Sequence, residues 1–286
     1  MPAVREPPFQ QLGIVGLGLI GGSIAAAVRA AWPNLRVLGV DRPEIAADAR
    51  ARGWIHEALP HARPLGEADL VVLASPVPGI VAGIGELARA GHPGAITDVG
   101  STKRTIVRAA ADAGLRRFVG GHPMAGAEAS GLAAARADLF AGCRWCVVPG
   151  AGAGDEDVAF VEALARGLGA RPVRIEADTH DRVMAYVSHL PQLVSVALMN
   201  AAAAGAGGDG LALAGRGLAE MSRLASSSPD VWEGILAANA DYVAEALDAL
   251  RDEVGAVDVR RSDGAGVASS FARAAAFRRA LREVLS

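Results

Sequence analysis

From Leu12 to Ile175 the chain alternates short β-branched runs with longer Ala-rich stretches, and no other feature narrows its possible folds so far. The candidate strands are residues 12–16, 36–41, 70–75, 95–100, 116–120, 144–148 and 171–175. Between most of them lie apolar patterns of helical period, at 23–32, 78–90, 103–114 and 156–169. Strand, helix, strand repetition at this spacing demands right-handed crossovers and a mostly parallel sheet covered on both faces. The expected fold class is α/β, with an N-terminal doubly wound sheet of Rossmann type. After Ile175 the strand signal stops, and helical patterns at 178–204, 211–225, 229–251 and 265–285 predict an all-α second half.

The first turn of this α/β half carries a nucleotide signature. Gly16-Leu17-Gly18-Leu19-Ile20-Gly21 follows the first strand and opens the first helix, and Asp41 stands at the end of the second strand. In that setting Gly16 permits the tight turn, Gly18 lets the backbone approach a pyrophosphate, and Gly21 lets the helix pack on the strand. The amides around Leu19 and Ile20 face the phosphates. The Asp41 carboxylate accepts hydrogen bonds from a ribose diol and repels a 2′-phosphate, so NAD is expected in preference to NADP. The expected division is 1–176 for a dinucleotide-binding domain and 177–286 for an all-α substrate and dimerisation domain. Pro191 should kink or break the helix at 178–204. That helix is apolar on more than one face, which its own small domain cannot bury, so a homodimer through the helical half is expected.

Composition removes other classes. With 51% hydrophobic residues in 286, the chain has material for real cores. Its formal charge of −3 and 28 scattered Lys and Arg leave no basic footprint, so no nucleic-acid partner is expected. MPAVREPPFQQ lacks a charged-then-apolar leader, and no stretch of 18 residues is uninterruptedly apolar; the expectation is a cytoplasmic protein without a membrane partner. Cys143 and Cys146 form C-x-x-C without a second pair at metal spacing, in a segment that reads as strand. Buried strand thiols, and no metal, are expected.

In such a sheet the carboxyl ends of the strands line the cofactor cleft. That places Ser75 and Pro76, the run 98–103, and the run 120–126 (GGHPMAG) at the rim. His122 reads as a loop histidine between glycines and a proline, with few neighbours to bury against, and suits a general base. Ser101 either shares a hydrogen bond with the same ligand group or caps a helix starting near Thr102. Glu128 is a gating carboxylate or a solvated loop acid. His189, beside Pro191, is a structural histidine or a ligand contact. Arg223, at a helix end before a Ser-rich turn, offers a fork for a carboxylate or merely answers the helix dipole. His56, His61, His92 and His180 read as surface or capping residues.

The runs GLGLIGGS (16–23), DVGSTK (98–103), GGHPMAGAEASG (120–131), SHLPQLVSVAL (188–198) and SRLASSSPDVW (222–232), in this order and spacing, resemble the prephenate dehydrogenase family of tyrosine and aromatic amino acid biosynthesis. The resemblance implies NAD-dependent oxidative decarboxylation of prephenate, a small dianionic cyclohexadienyl substrate, or of arogenate. It implies that His122, assisted by Ser101, meets the ring hydroxyl. His189 and Arg223 would bind the anionic groups, with Glu128 at the site entrance. Ala219 stands where some members carry a lysine one turn before the arginine. Two other readings remain: a β-hydroxyacid dehydrogenase, expected to carry a lysine in the helical half, which has none, and an NAD-dependent sensor without catalysis.

Overall fold

The computed structural model describes residues 6–126, 129–257 and 265–285. The first half is built from β1 (Gln11–Val15), α1 (Leu19–Ala31), β2 (Arg36–Val40), α2 (Pro43–Ala51), β3 (Glu57–Leu59), β4 (Leu70–Leu73), α3 (Val77–Ala90), β5 (Ala95–Asp98), α4 (Arg104–Asp112), β6 (Phe118–Pro123), β7 (Arg144–Pro149), α5 (Asp155–Gly167) and β8 (Arg171–Arg174). The strands form one sheet in the order β3-β2-β1-β4-β5-β6-β7-β8. All neighbours are parallel except β6 and β7. The order reverses between β1 and β4, which opens a crevice at their carboxyl ends.

The near-continuous apolar runs are explained by burial on both faces. Along β4, Leu70 and Val72 join the apolar layer that includes Ile24, Val28 and Trp145, whereas Val71 and Leu73 join the opposite layer with Ile80, Ile84 and Ile106. Two elements escaped the sequence reading. β3 has three residues, Glu-Ala-Leu, too few to show a period, and α2 (PEIAADARA) buries only Ala46 and Ala49.

The second half comprises α6 (Ala177–Met184), a π turn (Ala185–His189), α7 (Leu190–Leu211), α8 (Arg216–Met221), a 3-10 turn (Arg223–Ser226), α9 (Pro229–Ala238), α10 (Ala240–Ala256) and α11 (Ala265–Leu285). The expected disturbance at Pro191 is the π turn just before it. Proline lacks the N–H owed to the carbonyl four residues back and its ring crowds that carbonyl; one wider turn relieves both. The expected helix at 229–251 is two helices meeting at Asn239. The run Ala177–Leu211 is long and apolar enough to cross a membrane by length and composition alone. It nevertheless carries His180, Asp181, His189, Gln192 and Ser195, all buried. α6 packs on α4, and α9 on α3, so the helical half leans on the crevice side of the sheet.

Candidate active site

The glycine turn has the geometry its sequence implies. Gly16 has φ +94°, and a Cβ there would lie 2.8 Å from the Ala74 backbone. A Cβ on Gly21 would collide with the Gly16 carbonyl oxygen. In front of Gly18 there is open space within 4 Å of a Cβ position, and Gly18 caps α1 without a side-chain partner. The first amides of α1, at Leu19 and Ile20, therefore have room for an anion before them. Asp41 follows β2 and accepts hydrogen bonds from the amides of Leu17 (2.6 Å) and Arg42 (2.7 Å). Ser75 and Pro76 leave β4 opposite this turn, Ser75 Oγ lying 3.0 Å from a Cβ built on Gly16. The cradle, free helix amides and acidic residue fit a dinucleotide.

His122 is not in a loop. It is the fifth residue of β6, paired with Cys146 of antiparallel β7, and only 8% exposed. The pairing with β7 carries β6 past the point where the sequence signal ends, and so buries the histidine. The glycines before it have their own cause. A side chain on Gly121 would strike the Asp98 carbonyl oxygen, and one on Gly120 would lie 3.2 Å from Lys103 Cδ. Lys103, the chain's single lysine, is fully buried there. Its ammonium pairs with Asp98 and donates to the Gly121 carbonyl at 2.7 Å. Asp98 also accepts from the amides of Gly100 (2.7 Å) and Gly121 (3.1 Å). Burial pushes the Asp98 carboxyl up and the Lys103 amine down, while their mutual attraction opposes both shifts.

A second buried residue overturns another expectation. His180 is fully buried rather than at the surface, and its Nε2 lies 2.9 Å from His122 Nδ1. Its Nδ1 lies 2.8 Å from Asp181 Oδ1. Asp181 accepts from the amides of Lys103 (2.6 Å) and Arg104 (2.8 Å) at the start of α4. Burial opposes its ionisation, but the bonds from His180, Arg104 and Lys103 prevail and hold its carboxyl below the ordinary value. Burial, then His180, Lys103 and His189, depress His122 well below an ordinary histidine, so it is a neutral imidazole at neutral pH.

His189 closes the π turn and is 1% exposed. Nine positions after His180 in an unbroken α-helix it would stand on the opposite side, each residue rotating about 100°. The wider π turn removes roughly one residue's rotation and swings it back toward His180. The Asn239 amide nitrogen donates to the Asp181 carbonyl (2.8 Å) and contacts His189 Nδ1 (3.2 Å), while its oxygen accepts from Arg104 (3.0 Å). His189 Nδ1 is thus an acceptor and Nε2 carries the proton, a buried donor with no protein partner among the described residues. The His189 ring meets Trp232 edge-on at 5.9 Å. Burial brings its pKa down to about 4.

The remaining candidates are dispersed. Ser101 is half-buried just beyond β5; α4 starts at Arg104 with Lys103 before it, so Ser101 is not its cap. Arg223 is exposed, the first residue of the 3-10 turn. That turn is pinned to α7 by Gln192, which donates to the Leu224 carbonyl (2.7 Å) and accepts from Ser227 (3.2 Å). Glu128 lies outside the described residues. Cys146 is buried on β7, while Cys143 precedes the strand and is half-buried. Sequence reasoning missed His180, Asp181, Lys103 and Asn239. The adjacent His-Asp pair and the solitary lysine were the available signals.

Comparison with known proteins points one way. The family profile "Prephenate dehydrogenase, nucleotide-binding domain" matches residues 24–174, and "Prephenate dehydrogenase, dimerization domain" matches 176–263. The chain is 37% identical to the prephenate dehydrogenase of Bacillus subtilis over 82% of its own length, and spans 66% of that relative. It superposes on prephenate dehydrogenase from A. aeolicus, solved with hydroxyphenyl propionate and NAD+, with a TM-score of 0.85 at 27% identity, covering 94% of this chain and 97% of that one. Against Synechocystis arogenate dehydrogenase the TM-score is 0.81 at 26% identity, covering 95% and 99%.

Proposed function

The chain belongs to the prephenate dehydrogenase family, and we propose that it performs NAD-dependent oxidative decarboxylation of prephenate to 4-hydroxyphenylpyruvate in tyrosine biosynthesis. The observation that carries this reading is His122, a buried neutral imidazole at the carboxyl end of β6, on the rim of the switch-point crevice. NAD, when bound, supplies the hydride acceptor. His122 takes the ring-hydroxyl proton while the ring carboxylate departs as carbon dioxide, and aromatisation drives the change, so positioning and proton removal are the protein's task. Because burial lowers its pKa, His122 stays a base below pH 6.5; kcat/KM is lost only as pH falls through that lowered value.

The other residues divide the substrate between them. His189 presents its Nε2–H to an anionic or keto oxygen, and Arg223 takes a carboxylate from the helical side. Ser101 lends its hydroxyl to the same ring hydroxyl. Gly16 to Gly21, Ser75 and Pro76 hold the dinucleotide, and Asp41 favours NAD over NADP by accepting from the ribose diol. Residues 1–176 form the cofactor half and 177–286 the substrate and dimerisation half. A homodimer through the helices covers their apolar faces, where Phe271 is 68% and Phe277 74% exposed; sedimentation as a monomer at micromolar concentration would overturn it.

A second reading, arogenate as substrate, is favoured by the Synechocystis likeness. Absorbance at the NADH band with NAD or NADP and either substrate separates them. Turnover of prephenate with NAD alone is expected; activity with arogenate alone moves the substrate but keeps the mechanism. Silence in all four pairings overturns the reading.

A further inference from the structure

We propose that His180 and Asp181 are positioning residues of this reaction, a buried Asp181–His180–His122 line that fixes the tautomer of His122 and so leaves its Nε2 free to take the substrate proton. The inference rests on His122 being the base.

Hydrogen-bond accounting carries it. The carboxylate of Asp181 receives two backbone amides, from Lys103 and Arg104, which can only donate. It is an acceptor toward its third neighbour as well, so His180 Nδ1 at 2.8 Å must carry a proton. A neutral His180 then has a bare Nε2, and His122 Nδ1 at 2.9 Å donates to it. His122 is left with Nε2 as its lone pair, which a base needs. With the rings on a different register this order would reverse and Nε2 would carry hydrogen. The groups facing His122 are His180 from α6, Lys103 from the β5–α4 connection, His189 from the π turn and Cys146 from β7, with Asp181 behind His180 and Asp98, the last residue of β5, behind Lys103.

The step balances without a further reactant. The substrate O–H breaks, Nε2–H forms, and the Nδ1–H stays with His122 while donating to His180. Asp181 also holds the first amides of α4, so its replacement would disturb the fold, and His180 is the cleaner probe.

The test uses the full chain with NAD and prephenate, and four variants: His122→Asn, His180→Leu, His180→Gln and the double variant His122→Asn/His180→Leu. His180→Leu should lower kcat about 100-fold with KM and NAD affinity retained, a loss of the size seen when an orienting partner of a working histidine is removed. His180→Gln, whose amide oxygen can accept from Nδ1, should recover about tenfold and remains informative if the leucine variant does not fold. In the His122→Asn background, His180→Leu should cost less than about twofold, since it acts through His122. Loss in His122→Asn together with wild-type turnover in His180→Leu overturns the relay alone, as does a His180 effect that adds in full to that of His122. Wild-type turnover in His122→Asn overturns the base and the relay together.

Discussion

The two halves of this molecule are held by different forces. The α/β half wraps its sheet in two apolar layers, with Trp145, Phe118 and Phe140 sealed from solvent. Among the described residues, the buried apolar cluster of the helical half is Ala185, Val243 and Ala246, flanked by half-buried leucines and Tyr242. What fastens it to the sheet side is polar. Arg104 pairs with Asp241, donates to Asn239 and lies 4.3 Å over the Tyr242 ring, while Asp181 caps α4 from across the boundary. Buried hydrogen bonds are directional and unforgiving when broken, whereas apolar volume is tolerant. The half that carries His189 and Arg223 is therefore located by polar contacts.

The contrast can be broken at four points. Trp145→Ala should cost about 3–5 kcal/mol in urea unfolding of the whole chain; a loss no larger than in the helical half would erase the distinction. Acid should act next, through His189. Its folded value of about 4 lies below the unfolded 6.5, so between these pH values the unfolded chain binds more protons and stability falls as pH falls. The loss should reach up to about 3 kcal/mol by pH 4, visible as a declining Tm that His189→Asn flattens. Val243→Ala, in the helical cluster, should cost roughly 1.5 kcal/mol, and its Tm should rise with protein concentration if a second copy supports this half. Smallest, Gln192→Ala should raise the KM for prephenate a few-fold, by releasing the turn that carries Arg223, at a cost near 1 kcal/mol. An unchanged KM would detach Arg223 from the substrate.

Much of this was legible in the sequence, for physical reasons. Strands buried on two faces read as apolar runs, and a glycine turn ahead of a helix reads as a phosphate cradle, because both effects are local. Pro191 announced a kink or break in the helix for the same reason, and the structure answers it with a π turn. The setting of His122 was not legible: its strand is prolonged by pairing with residues 144–149, a long-range event that no window of sequence contains. His180 read as a surface or capping residue, and Asp181 carried no signal of its own. Only the fold brings them to a strand and a helix N-terminus far earlier in the chain. The glycines at 120 and 121 suggested a loop, yet they mark where Lys103 and β5 crowd the backbone.

That lysine has a practical consequence. Amine-directed reagents find a single side-chain target in this sequence, and in the native fold it is wholly enclosed. Covalent tagging of Lys103 can proceed only through conformations in which the floor beneath His122 has opened. The rate of a slow acylation, followed by mass, would therefore clock the breathing of the buried cluster around His122, with no engineered probe.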